Sequence, residues 1–149
     1  MDLSFGSEYS TFREEVRHFV QQNKANQPKS RVPFSKEALA WQKLLIENGF
    51  HSRTIPMEYG GYGATPDIIK SRIIAEEFGA AHLNTGLGGQ GISMLTPVLL
   101  EMGTEAQKQQ FIKPTIEGEI VWCQGYSEPG AGSDLASLTT KAELDGDEW

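Results

Sequence analysis

Cys123 is the only cysteine in 149 residues. That excludes an internal disulfide and a thiolate metal cluster, and it fits a reducing compartment. The three histidines, His18, His51 and His82, share no metal-ligand spacing. Cations are scarce: 13 Lys and Arg stand against 20 Asp and Glu, a net charge of −7. The clustered positive charge that neutralises a nucleic-acid backbone is therefore missing. A phosphate-bearing small molecule stays open, because backbone N–H groups and a few cations can hold one locally. No apolar run approaches the roughly 20 residues of a membrane-spanning helix. Residues 1–7 have neither a basic start nor a long apolar core, so they do not form a secretion signal. These absences read as a soluble, cytoplasmic protein with no membrane span and no nucleic-acid partner.

What is present is globular: 38% hydrophobic and 22% charged residues exclude a disordered chain. The length suits one domain, or one domain and part of another. The first hundred residues carry helical patterning. Thr11-Phe12-Arg13-Glu14 has capping-box spacing, and Tyr9, Phe12, Val16 and Phe19 share a face that ends near Asn23. Ser35 caps a second helix bearing Leu39, Trp41, Leu44 and Leu45, with Gly49 at its left-handed end. Thr65-Pro66 opens a third, with Ile69, Ile73 and Phe78 inward and Gly79 after it. A fourth spans 92–102, interrupted by Pro97, and ends at Gly103. Thr104-Glu105-Ala106-Gln107 caps a fifth, which runs to Pro114.

The period then changes. Residues 120–126 are short, aromatic and β-branched, which predicts a strand. Leu138, Thr140, Ala142 and Leu144 alternate with polar residues, which predicts a half-buried second strand. Asp145-Gly146 is a hairpin signal, and Trp149 would begin the next strand. The predicted class is mainly α: an N-terminal helical bundle over 1–118, followed by the first strands of an antiparallel β domain over 119–149. Two strands are marginal without neighbours, so the chain reads as the front part of a larger protein.

Between the predicted strands lies Tyr126-Ser127-Glu128-Pro129-Gly130-Ala131-Gly132-Ser133-Asp134. Gly130-Ala131-Gly132 is no dinucleotide fingerprint, because Leu135 stands at the third glycine position and a strand is expected to follow. Two readings stay open from composition: a plain turn, or a loop whose amides and hydroxyls face a ligand. The loop around Ile55-Pro56-Met57-Glu58-Tyr59-Gly60-Gly61 reads as a connection. His18, His51 and His82 read as surface or half-buried residues. Glu76 and Glu77 read as a solvated face, since adjacent helix positions diverge. Cys123 reads as core. Met94, Leu95, Leu99 and Leu100 read as core, the more frequent role of such residues, with a cavity lining as the alternative.

Ile55-Pro56-Met57-Glu58-Tyr59-Gly60-Gly61, then Gly103-Thr104-Glu105-Ala106-Gln107-Lys108, then the glycine loop follow the order seen in acyl-CoA dehydrogenases, and the chain resembles that family's N-terminal helical domain and the opening of its middle β domain. The last motif is the specific one. The resemblance implies FAD, an acyl-CoA substrate and α,β-dehydrogenation to a trans-2-enoyl thioester. It implies electron-transfer flavoprotein as electron acceptor and a homo- or hetero-oligomer. It places Gln124, Tyr126 and Ser127 near the flavin ring, and Gly132 and Ser133 near the ribityl–pyrophosphate part. Ser133 would also touch the CoA moiety, and Met94, Leu95 and Leu99 would line the acyl pocket. Many members carry an aromatic residue in place of Gln124. The family's general base is a glutamate in a C-terminal helical domain that has no counterpart here, so no residue of this chain is assigned as catalytic and none as a metal ligand. The alternative is a non-catalytic helical module or subunit that binds a partner.

Overall fold

A computed structural model describes residues 6–30 and 32–148. Its regular structure is helical: α1 (Ser7–Asn23), α2 (Lys36–Glu47), α3 (Ile68–Ala81), a π-helical turn (Gly91–Leu95) running into α4 (Thr96–Met102), and α5 (Glu105–Ile116). Short 3-10 turns occupy Lys24–Asn26, Met57–Tyr59 and Leu135–Ser137.

Two apolar clusters hold these elements together. Phe12, Val16, Phe19 and Val20 of α1 meet Trp41 and Leu45 of α2 and Ile73 and Phe78 of α3, with Leu83 beyond. Phe19 centres this cluster, its ring 4.6 Å from Phe50 and 6.1 Å from Phe78. The second cluster joins Ile46 of α2 and Ile55 and Tyr59 of the following loop to Ile112 and Ile116 of α5. Thus α2 serves both clusters, because Leu45 and Ile46 leave the helix in different directions.

Glu76 and Glu77 do more than face solvent. Arg13 reaches Glu76 at 2.9 Å and Glu77 at 2.7 Å, and Arg17 reaches Glu77 at 2.9 Å. The two carboxylates clip α3 to α1, and both are held below their ordinary pKa, Glu77 chiefly by Arg17 and Glu76 chiefly by Arg72.

Several helix ends differ from the sequence reading. Thr11 is not a cap: α1 starts at Ser7, and the Thr11 hydroxyl donates back to the Ser7 carbonyl. Asp67, not Thr65, caps α3, its carboxylate accepting from the amides of Ile69 and Lys70. A carboxylate is a strong N-cap, and it outcompeted the Thr-Pro signal two residues earlier. Gly79 lies inside α3, which ends at His82 in the left-handed region, φ 52°. α5 passes through Pro114 and stops before Gly118, φ 81°. Ser35, Gly49, Gly103 and the Thr104–Gln107 capping box act as the sequence predicts.

The predicted strands at 120–126 and 138–144 are not formed. Among the described residues β pairing is confined to two isolated bridges, Glu128 with Ala131 and Asp145 with Glu148. The turn at Asp145-Gly146 is present, but neither extended run finds a neighbour to complete a ladder. Trp149 lies outside the described residues, as do residues 1–5 and Arg31.

The two-cluster core predicts unequal sensitivity. Phe78 is 1% exposed, so Phe78→Ala should cost about 3–5 kcal/mol of unfolding free energy. Ile68 is 86% exposed, so Ile68→Ala should change it by no more than about 0.5 kcal/mol. Urea denaturation followed by circular dichroism compares the two.

Candidate functional site

The site begins where the helical order is interrupted. Pro97 has no amide hydrogen, and its ring crowds the carbonyl four residues earlier. The preceding turn widens to a π-helix, and the amide and hydroxyl of Thr96 both donate to the Gly91 carbonyl. Such single widened turns are frequent at functional sites. Here the wide turn brings Met94 and Leu95 onto an open face, with Val98 one turn on.

Trp122 closes the other side. Its indole N–H donates to the Thr115 hydroxyl at 2.8 Å, and its ring meets Phe111 edge-on at 5.7 Å. Gly91 lets the indole approach: a Cβ there would stand 2.4 Å from Trp122 Cδ1. This contact docks the unpaired 120–124 segment onto α5 and the π-turn. Gln90, Met94, Leu95, Val98, Trp122, Cys123 and Gln124 then line an open, mostly apolar cleft of about 220 Å³. Cys123 is exposed rather than core. Leu99 points the other way and packs with Leu100 on the second cluster.

Gln124 leads from this cleft into the glycine loop, and Gln90 donates to its side-chain oxygen at 3.4 Å. Glu128 and Ala131 exchange backbone hydrogen bonds around the bend, at 3.3 and 3.1 Å. The Glu128 carboxylate accepts from the amides and hydroxyls of Thr139 and Thr140. These donors, the Thr140 hydroxyl foremost, pull its pKa to about 2. The loop is therefore closed at its base by its own groups. Its outer side is open: Gln124, Tyr126, Ser127, Gly132 and Ser133 are all exposed. A Cβ added at Gly125, Gly130 or Gly132 would meet nothing within 4 Å. Among the described residues the hydroxyls of Ser127 and Ser133 have no side-chain hydrogen-bond partner. Free donors and uncrowded backbone fit an extended, polar cofactor such as FAD.

A second polar group centres on the half-buried His51. His51 Nε2 stands 2.8 Å from the Leu87 carbonyl, and Nδ1 stands 3.0 Å from Gln42 Nε2 and 2.9 Å from Ser52 Oγ. Because the Leu87 carbonyl can only accept, Nε2 carries the hydrogen and Nδ1 accepts. Burial pushes the His51 pKa below its usual value. His18 is exposed, and His82 ends α3. Among the described residues no group of three or more His, Cys, Asp or Glu is placed to hold a metal. Among the described residues no helix is long and apolar enough to cross a membrane.

Sequence reasoning missed Gln90, Val98 and Trp122. Met94 and Val98 stand four apart and share a helix face, which was a readable signal. The docking of Trp122 on Gly91 was not, because it depends on tertiary approach.

An apolar cleft in a helical wall thus lies beside an open, polar glycine loop. The sequence model of the acyl-CoA dehydrogenase N-terminal domain matches residues 6–119. Acyl-CoA dehydrogenase IpdE1 of Mycobacterium tuberculosis is 36% identical over 148 residues, covering 93% of this chain and 38% of that protein. Glutaryl-CoA dehydrogenase of Desulfococcus multivorans is 30% identical over 162 residues, covering 100% of this chain and 39% of that protein. The crystal structure of the ChsE4-ChsE5 complex from Mycobacterium tuberculosis superposes with a TM-score of 0.64 at 28% identity, over 99% of this chain and 37% of that one. The chain belongs to the acyl-CoA dehydrogenase family, and it spans less than two-fifths of the length of these relatives.

The neutral His51 predicts a pH response. Its folded pKa lies below the unfolded value of 6.5, so the unfolded chain binds more protons as the pH falls past that point. Stability should be full above pH 6.5 and should decline steadily as the pH drops below it. His51→Phe should flatten that limb, as read from thermal unfolding at a series of pH values.

Proposed function

We propose that this chain is the acyl-binding wall and part of the flavin cradle of an FAD-dependent acyl-CoA dehydrogenase, an oxidoreductase of acyl-thioester and hence lipid metabolism. The observation that carries this reading is the junction at Gln124, where an apolar cleft passes directly into a loop of unpaired hydroxyls and uncrowded glycines. The proposed domain boundary falls at 118/119, with the helical domain before it and the opening of a second domain after it.

Met94, Leu95, Val98 and Trp122 exclude water along an acyl chain, which strengthens polar contacts made at its thioester end. Ser127 donates towards the flavin ring, and Ser133 donates towards the ribityl–pyrophosphate and CoA parts. Gly132 lets the backbone lie close to them. Gln124 and Tyr126 border the ring. When bound, FAD supplies the two-electron acceptor, and hydrogen bonds at its ring edge tune its potential. The proton-abstracting carboxylate is assigned to polypeptide outside this chain. Electron-transfer flavoprotein is the proposed acceptor of the electrons. Assembly into an oligomer is proposed as well, in line with the two-component complex named for the structural neighbour.

The complete polypeptide carrying this segment should show visible flavin absorption that bleaches on anaerobic addition of an acyl-CoA. Ser127→Ala and Ser133→Ala should each weaken FAD binding about tenfold, the effect of losing one hydrogen bond to a polar cofactor. A colourless complete protein that cannot be reconstituted with FAD overturns the reading.

A further inference from the structure

The segment that joins α3 to the π-turn contains Gly86, Gly88, Gly89 and Gly91. Gly86 and Gly89 have φ of 92° and 122°, and nothing lies within 4 Å of where a Cβ would stand at Gly88 or Gly89. Such a connector has little side-chain packing of its own, and glycine backbone carries the largest conformational freedom. Yet it leads straight to Gln90, Met94 and Leu95 in the cleft wall. Asn84 anchors its start, its carbonyl accepting from the Trp41 indole at 2.9 Å and its amide donating to Gln27 at 2.9 Å. Within the glycine stretch the fixed point is Leu87. Its amide donates to Gln42 Oε1 at 2.8 Å, and its carbonyl accepts from His51 Nε2 at 2.8 Å. Two side chains thus hold both polar groups of one residue.

The holder is itself rigid. Gln42 is 0% exposed. Its amide nitrogen donates to the Ile116 carbonyl at the end of α5 at 2.6 Å and to His51 Nδ1 at 3.0 Å. Every donor and acceptor of the Gln42 side chain is engaged, so a flipped amide would leave mismatches at Leu87, Ile116 and His51 at once. Gly86 packs directly on the pair: a Cβ there would stand 2.5 Å from Gln42 Oε1 and 3.0 Å from His51 Cδ2.

We propose that Gln42 and His51 are positioning residues, which clamp the Leu87 backbone and thereby fix the glycine connector that places Gln90, Met94 and Leu95 in the acyl cleft. The meaning of the cleft rests on the function proposed above, but the clamp does not.

Amide hydrogen exchange of this chain tests the clamp with no ligand present. Gln42→Met, close in volume and unable to donate to Ile116, should accelerate exchange about tenfold at Leu87 and Ser93, whose amides bond Gln42 Oε1 and the Gly89 carbonyl, while Val16 and Ile73 in the α1–α3 core keep their protection. His51→Gln, which keeps an amide of similar reach, should give a smaller acceleration at the same positions, and it decides the matter if Gln42→Met fails to fold. In the complete polypeptide, Gln42→Met should raise KM for acyl-CoA about tenfold with kcat changed less than about twofold, the signature of a displaced binding wall. Unchanged exchange at the connector, or equal acceleration in the α1–α3 core, overturns the proposal. A wild-type complete polypeptide without acyl-CoA turnover would remove the functional reading instead, and the exchange result would still decide the clamp.

Discussion

A buried amide must find partners for two hydrogens and an oxygen, and Gln42 finds them on three separate parts of the chain. The constraint is severe, because each unmet group in a dry interior costs about 1–3 kcal/mol. α2 must therefore lie at one distance from the end of α5 and from the loop after α3. The two apolar clusters supply most of the driving force and meet at α2. Hydrophobic burial is not directional, so the amide fixes the register that burial alone leaves loose.

Polar groups are treated differently in two parts of the molecule. Around the core several find partners: Arg13 and Arg17 with the carboxylates of α3, Tyr59 with Glu105, Trp122 with Thr115. Along the glycine loop the base is closed by Glu128 and the two threonines, while the hydroxyls of Ser127 and Ser133 face outward. A rigid base under free donors is the arrangement that lets a loop receive a ligand without first paying to order itself. The cleft shows the same contrast, with Trp122 firmly seated on Gly91 and Met94 half exposed beside it.

Much of the helical layout was legible because it is governed by local chemistry. Ser35 and Thr104 cap helices through side chains that reach their own next turn, and Gly49 ends one because the left-handed region suits it. Where two local signals competed, the sequence could not rank them: Asp67 beat Thr65, and Gly118 beat Pro114. The strands were misread for a different reason. Alternation at 138–144 records which side chains suit a sheet face, but a ladder also needs a neighbouring backbone. In the site, the glycine loop was visible as composition and motif. The clamp was not, since Gln42, His51 and Leu87 are distant in sequence and ordinary in type. The cluster of glycines over 86–91 was the one available hint that a backbone there had to be held by something else.

In the proposed reading, the wall before and along α4 and the loop beyond Gln124 face one flavin and one acyl thioester. The structure of the complete polypeptide with FAD and an acyl-CoA is the decisive measurement. The flavin is expected within hydrogen-bond distance of Ser127 and Ser133, and the acyl chain against Met94 and Leu95. A flavin seated elsewhere, with that loop turned to solvent, overturns the reading.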